Sequence, residues 1–228
     1  MVRMLIAEDL LLLFYDDDTG KPSADGTRLD NALAGALLVE LSLRGRVEVA
    51  DGSGAVKKGR LVVVDPVTTD DPVLDEALSV LAEKDGKTPK QLLGPLKKGL
   101  RQRLLDQLAA RGIVEAREGK VLGLFPTTRW PAVDSAHEAQ VRERLRSVLV
   151  AGLDPDPHTA ALTSLLHAVN ALHKMVPTDD RRALKRRAKE ISEGAWAAEA
   201  VRKAVNEVNA AVIVAVVAAS STAAGSSG

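Results

Sequence analysis

The sequence contains no cysteine. That excludes disulfides, thiolate metal sites and cysteine nucleophiles together. Aromatic residues make up 2% of the chain against 46% hydrophobic residues overall, so the core is built from Leu, Val and Ala rather than from rings. Such a composition suits packed helices. Neither sign of charge is in excess, with 31 basic and 31 acidic residues. Duplex-binding proteins usually carry a strong basic surplus, so nucleic acid is not an expected partner, although a local basic patch is allowed. Long apolar runs are also lacking. The longest, Ala210 to Ala219, is half of the roughly 20 residues that span a bilayer. The opening apolar run is broken by Glu8 and Asp9 and has neither a basic leader nor a cleavage site. The expected location is the cytoplasm, with any membrane contact made at the surface. No nucleophile elbow, P-loop or kinase motif occurs. Gly52-x-Gly54 has no helix behind it to receive a pyrophosphate. Neither an enzymatic activity nor a cofactor is expected.

What the chain does have is a central stretch, Arg28 to Val49. Its middle, Ala32 to Leu43, is apolar on nearly every side of a helix and is interrupted only by Glu40 and Ser42. A helix apolar all round lies in the middle of a domain with neighbours on several faces. Ala34-Gly35-Ala36 is small enough to let one neighbour come close. Gly45 suits a left-handed C-terminal cap, and Arg44 and Arg46 favour the negative end of the helix dipole. A short strand, Val47 to Val49, follows, and Arg60 to Asp65 is a β-branched strand expected to pair back with it.

The other elements arrange themselves around that stretch. Met4 to Tyr15 predicts a buried helix, stopped by Asp16-Asp17-Asp18-Thr19-Gly20. The aspartates lack the alternating ligands and distal glutamate of a calcium loop and are expected to form a solvated turn. Asp71 predicts an N-cap with Pro72 in the first helical position. D-D-P-V-L-D also resembles a magnesium-binding motif of all-helical prenyl-chain enzymes, but that motif needs a facing copy, which is absent from the sequence. A helix is expected from about Lys90 to Arg111, with Leu93, Leu96, Leu100, Leu104 and Leu108 as its buried stripe and Lys97, Lys98 and Arg101 on another face. Ile113 to Glu115 and Val121 to Phe125 flank Arg117-Glu118-Gly119-Lys120 as a hairpin signal. A winged-helix DNA reader would show the same local order. Against it, the preceding helix is not selectively basic. Further helices are expected at Ser135 to Gly152, Pro157 to Met175, Arg181 to Ile191 and Ala195 to Ala219, the last packed on the central helix. The expectation is one mainly α domain, residues 1–219, with helices around a central hydrophobic helix, small β-hairpins, and a disordered tail at 220–228.

The histidines offer no metal pattern. His167 and His173 lie roughly 240° apart around a helix, unlike an i, i+4 ligand pair, and His167 is expected to be a hydrogen-bonded core histidine.

Several segments carry a resemblance in the right order. E-L-S-L-R-G-R (40–46) leading into a strand resembles the E-L-A-L-R-G-R signature of the Golgi phosphoprotein 3 family. M-L-I-A-E-D-L-L-L-L (4–13) is similar to its opening helix, and D-D-P-V-L-D-E-A-L (70–78) to its T-G-D-x-L-L-D-E-A-L. L-R-Q-R-L-L-D-Q-L-A-A-R-G-I-V (100–114) resembles V-R-E-R-L-x-x-x-L-V-E-K-G-x-L, and T-T ahead of proline (127–131) and L-L-H-A (165–168) also fit. The resemblance implies a peripheral membrane protein that binds phosphatidylinositol 4-phosphate or a similar anionic lipid and acts as an adaptor. It places a lipid headgroup site on Lys98 and Arg101. Ala34 stands where the family has an arginine, and no aromatic residue lies between Tyr15 and Phe125, so Arg28 is the candidate substitute. It further implies a homo-oligomer formed through the 113–125 hairpin. The Ala-, Val- and Arg-rich composition resembles a bacterial member. The alternative function is a soluble protein-interaction or oligomeric scaffold that has lost lipid binding.

Overall fold

A computed structural model describes residues 4–121, 125–194 and 199–224. Ten helices and two antiparallel strand pairs form its elements among those residues. The first helix, α1 (Ile6–Leu13), is buried along its whole length, including Glu8 and Asp9. The second, α2 (Gly26–Leu43), is the central helix expected from the sequence. From Asn31 to Ser42 every side chain is buried. Its C-terminus ends as the Arg-Gly-Arg segment predicts. Gly45 adopts φ of +67°, the Arg46 amide donates to Leu41 and the Gly45 amide to Ser42, which is the Schellman pattern.

The strands β1 (Val47–Val49) and β2 (Leu61–Val63) pair with Val47 opposite Val63 and Val49 opposite Leu61. Then come α3 (Pro72–Glu83), α4 (Pro89–Leu96) and α5 (Leu100–Ala110). Here the structure departs from the sequence-based expectation, since 90–111 is two helices. Pro95 has no amide to donate, and Gly99 sits left-handed at φ of +69°, a conformation that few other residues adopt cheaply. Lys97 and Lys98 therefore lie in a turn, and Lys98 and Arg101 do not share one helical face. The leucine stripe survives the break, with Leu93, Leu96, Leu100, Leu104 and Leu108 all buried.

The ribbon β3 (Arg117–Val121) and β4 (Phe125–Arg129) also differs from expectation. Arg117 faces Arg129, Val121 faces Phe125, and Val114 bridges Ala132 in the same register. The ladder is thus longer than expected and includes residues 117–120, where the sequence predicts its turn; residues 122–124 lie outside the described residues. Gly119 does not adopt a left-handed turn conformation, and the β-branched Thr127 and Thr128 supply the second strand.

Four helices complete the chain: α6 (Ala136–Leu149), α7 (Pro157–Ala168), the short α8 (Leu172–Met175) and α9 (Arg181–Glu193), before a final α10 (Glu199–Ala224). The single helix expected at 157–175 is interrupted at Asn170, which has φ of +54°. Asn tolerates that conformation because its short side chain bonds locally. The last helix continues past 219 to Ala224, since no helix breaker occurs before Gly225. No helix among the described residues is long and apolar enough to cross a membrane.

At Gly35, α2 and α10 pack closely. A Cβ added at Gly35 would lie 2.7 Å from Val212 Cγ2 and 3.2 Å from Val208 Cγ1, so the missing side chain sets the spacing. Gly54, in the exposed loop between β1 and β2, meets nothing within 4 Å. Gly35→Val is therefore expected to destabilise by about 1–3 kcal/mol through overpacking. Gly54→Ala is expected to change stability by less than about 0.5 kcal/mol. Urea unfolding checks both, and equal changes would refute the close-approach account.

Candidate anion site and the buried acid network

Two polar regions stand out, one at the surface and one in the core. The surface region lies where the start of α2 meets the α4–α5 turn. Asp25 caps α2 by accepting from the Arg28 amide at 3.0 Å. Arg101, in the first turn of α5, donates through Nε and Nη2 to Asp30 Oδ1 at 2.9 and 2.7 Å, and through Nη2 to the Gly26 carbonyl at 2.7 Å. Lys97 reaches Asn31 Oδ1 at 3.4 Å. Lys98 is exposed in the turn. Arg28 is half-buried, with its Nε buried and without a partner among the described residues.

Arg28 and Arg101 are thus brought to one end of α2, with Lys98 on the adjoining turn. Arg101 is already engaged by a carboxylate. Burial pushes the Tyr15 phenol above its ordinary value while the Arg101 guanidinium beside it works the other way. Tyr15 is thereby an aromatic neighbour of Arg101 that the sequence did not point to. Asp30 was equally invisible as the Arg101 partner, since 71 residues separate the two.

The core region is a set of carboxylates that hold α1. Glu8 Oε2 accepts from the Leu5 amide at 2.9 Å and from Arg111 Nη1 at 3.0 Å, while Oε1 accepts from Gln107 at 3.1 Å. Burial raises the Glu8 carboxyl above the ordinary range despite these donors. Glu40 Oε2, from α2, accepts from the Ile6 amide at 3.0 Å, and its Oε1 accepts from Arg44 at 2.9 Å. Ser42, the other polar interruption of α2, donates to the Leu38 carbonyl. Asp71 is the expected N-cap, accepting from the Val73 and Leu74 amides through Oδ1, and its Oδ2 accepts from Gln107 at 2.6 Å. Asp75 in the same segment accepts from the Thr69 hydroxyl. Each of these aspartates has a structural partner.

Asp9 is as fully buried as Glu8 and is held from two further helices. His137 from α6 meets its Oδ1 at 2.6 Å, His158 from the start of α7 meets its Oδ2 at 2.8 Å, and Arg144 stands 3.9 Å away. Both histidines use Nε2. His158 Nδ1 is buried without a partner among the described residues. His158 Nε2 is therefore the nitrogen that donates to Asp9. His167, by contrast, lines a small cleft beside α9 with Arg181 and Lys185. Its value falls through burial and the nearby Lys185 and Lys189.

Burial alone would raise the Asp9 carboxyl, but the hydrogen bonds from His137 and His158 outweigh it and hold the group below its ordinary value. A carboxyl depressed in the folded state stabilises the fold above the unfolded value, and that stability is lost as pH falls through the folded value. Wild-type urea midpoints are therefore expected to fall on acidification below about pH 4. In Asp9→Asn this part of the acid dependence disappears, on a background destabilised at neutral pH. Parallel acid profiles for the two proteins would contradict the assignment.

With the fold and these contacts in place, comparison with known proteins is direct. The sequence model of Golgi phosphoprotein 3 (GPP34) matches residues 6–208. The chain belongs to that family. A vacuolar protein sorting-associated protein 74 of Eremothecium gossypii is 28% identical over 208 residues, covering 78% of this chain and 62% of that protein. The chain spans about three fifths of the length of this relative. A match to a fungal protein gives no support to a bacterial origin. The matched region runs from the first residue of α1 into α10, so apart from the Leu5 amide the polar contacts described in this section lie within it.

Proposed function

We propose that the chain is a peripheral membrane adaptor that receives an anionic lipid headgroup at the start of α2, with Lys98, Arg101 and Arg28 as its cationic contacts. The reading is supported by Arg101, which reaches the Gly26 carbonyl and Asp30 in the first turns of α2. Arg28 also lies there, with Lys98 on the adjoining turn, in a Golgi phosphoprotein 3 family fold. A helix N-terminus favours an anion through its unpaired amides and dipole. Lysine and arginine side chains add charge-assisted hydrogen bonds to phosphate, and anionic bilayers attract such groups over roughly a Debye length.

Asp30 sets the strength of the site. It neutralises part of the Arg101 charge, and Ala34 supplies no further cation, so binding is expected to be weak and poorly selective among phosphatidylinositol 4-phosphate and other anionic lipids. The ribbon of β3 and β4 is proposed as the self-association contact, because a two-stranded ladder leaves both edges open to pairing. The Val121 to Phe125 side chains, which the sequence singled out for this contact, lie outside the described residues.

The test is co-sedimentation with vesicles of phosphatidylinositol 4-phosphate, phosphatidylinositol or phosphatidylglycerol at low and high salt. Loss of one charge-assisted hydrogen bond costs about 1.5–3 kcal/mol, so Lys98→Ala and Arg101→Ala are each expected to weaken binding roughly tenfold to a hundredfold. Asp30→Asn, which releases Arg101, is expected to tighten it. Equal binding by wild type and Lys98→Ala would move the site elsewhere. No vesicle binding by any variant at low salt would favour the soluble oligomeric scaffold.

A further inference from the structure

The basic face of α9 takes no part in the site at the start of α2. Arg181, Arg182, Lys185, Arg186 and Lys189 are all exposed. At 100° per residue they occupy an arc of about 140° and a length of about 12 Å. The opposite side, Leu184, Ala188 and Ile191, is buried, mainly against α7. The helix therefore has no apolar face left for insertion into a bilayer. Among the described residues, Arg181, Arg182, Lys185 and Arg186 have no ion pair, while Lys189 only approaches Glu193 at 3.9 Å. Four unpaired cations on one face repel one another, and that repulsion is relieved by an external anion.

Arg187 adds an apolar flank. It donates through Nε to the Val148 carbonyl and through Nη2 to the carbonyls of Gly152 and Leu153, at 3.1–3.3 Å. The α6–α7 segment is thereby fastened beside α9, and it presents Val150 and Leu153 at 51% and 59% exposure. Arg187 points about 100° around α9 from Arg186, the nearest cation of the stripe. This flank therefore borders the Arg186 edge alone, while Arg181 and Lys185 lie toward the other edge, beside His167 and Leu172.

We propose that the basic stripe docks an acidic segment of a partner protein, its carboxylates along Arg181, Arg182, Lys185 and Arg186. The surroundings favour one peptide strand over a plane or a duplex. Exposed Asp179 and Asp180 precede the cations, Glu190 and Glu193 follow them, and Asp154 adjoins Leu153. A flat anionic bilayer or a nucleic-acid duplex would press its phosphates on these carboxylates as well, whereas a narrow chain follows the basic stripe alone. The packing also separates this surface from the start of α2. The main neighbours of α9 are α6, α7 and α8, while α4 and α5 pack on α2 from elsewhere. An adaptor needs a second surface of this kind. Naming the partner as a protein rests on the adaptor reading, but binding of an acidic peptide at α9 is measured independently of it.

The experiment is fluorescence anisotropy on the full chain, using a labelled Glu- and Asp-rich peptide. The comparison probes are its Gln/Asn counterpart, phosphatidylglycerol vesicles and duplex DNA. Wild type is expected to bind the acidic peptide in preference to all three, with affinity falling as salt rises. Reversing two contact charges in Arg181→Glu/Lys185→Glu is expected to weaken binding roughly tenfold or more. Arg181→Gln/Lys185→Gln should have a smaller effect, and Leu153→Ser and Lys98→Ala should both leave it unchanged. Circular dichroism and thermal melting establish that the exposed substitutions keep the fold. Equal peptide binding by wild type and both charge variants overturns the proposal, as does tighter binding of vesicles or duplex through the same residues. Failure of Lys98→Ala to affect vesicle binding bears on the α2 site alone.

Discussion

A single carboxylate joins the fully buried α1 to the central helix α2. Glu40 sits in the apolar middle of α2 and is 3% exposed, yet its Oε2 accepts from the backbone amide of Ile6, the first residue of α1. The N-terminal amides of a helix have no partner within the helix, and a buried helix start needs one from elsewhere. Glu8 serves the Leu5 amide and Glu40 the Ile6 amide. Because α1 is enclosed along its whole length, water cannot take over that role. The Glu40 charge is answered by Arg44 one turn further on, whose side chain is 30% exposed. The carboxylate thus links a buried cap to a partly solvated cation.

That link positions the rest. With α1 set across α2, Asp9 points toward α6 and α7 and collects His137 and His158 from both. Glu8 faces α5 and meets Gln107 and Arg111, which also approach Asp71 at the start of α3. Buried carboxylates on α1 therefore tie down α5, α6 and α7 directly, and α3 through Gln107 and Arg111. On its far side α2 presses against α10 at Gly35, and its own N-terminus is left at the surface against Arg101. The proposed headgroup site is the free end of an otherwise enclosed helix.

Local rules were legible in the sequence where the chain obeys them locally. The all-round apolar helix, the Gly45 cap, the Asp71–Pro72 start and the β1–β2 pairing each depend on residues close in sequence. The two helix breaks were not legible, because the leucine period continues through Gly99 and the apolar pattern continues through Asn170. Only the backbone shows that these residues turn left-handed. The ribbon turn was placed too early because Glu118-Gly119 reads as turn chemistry, whereas Thr127 and Thr128 extend the second strand. In the candidate site, Lys98, Arg101 and Arg28 were marked by family resemblance. That Asp30 already holds Arg101 depends on contacts made across the fold. The Asp9 cluster joins residues 128 and 149 positions apart, and such a separation leaves no pattern to read.

The measurement that tests this account most directly is the urea unfolding free energy of Glu40→Ala beside Glu40→Gln. Alanine leaves the buried Ile6 amide without an acceptor, at an expected cost of about 1–3 kcal/mol. Glutamine keeps an oxygen for that amide and is expected to lose clearly less. If both variants are as stable as wild type, or if glutamine is as damaging as alanine, the α1 start does not depend on Glu40 and the frame is held by apolar packing alone.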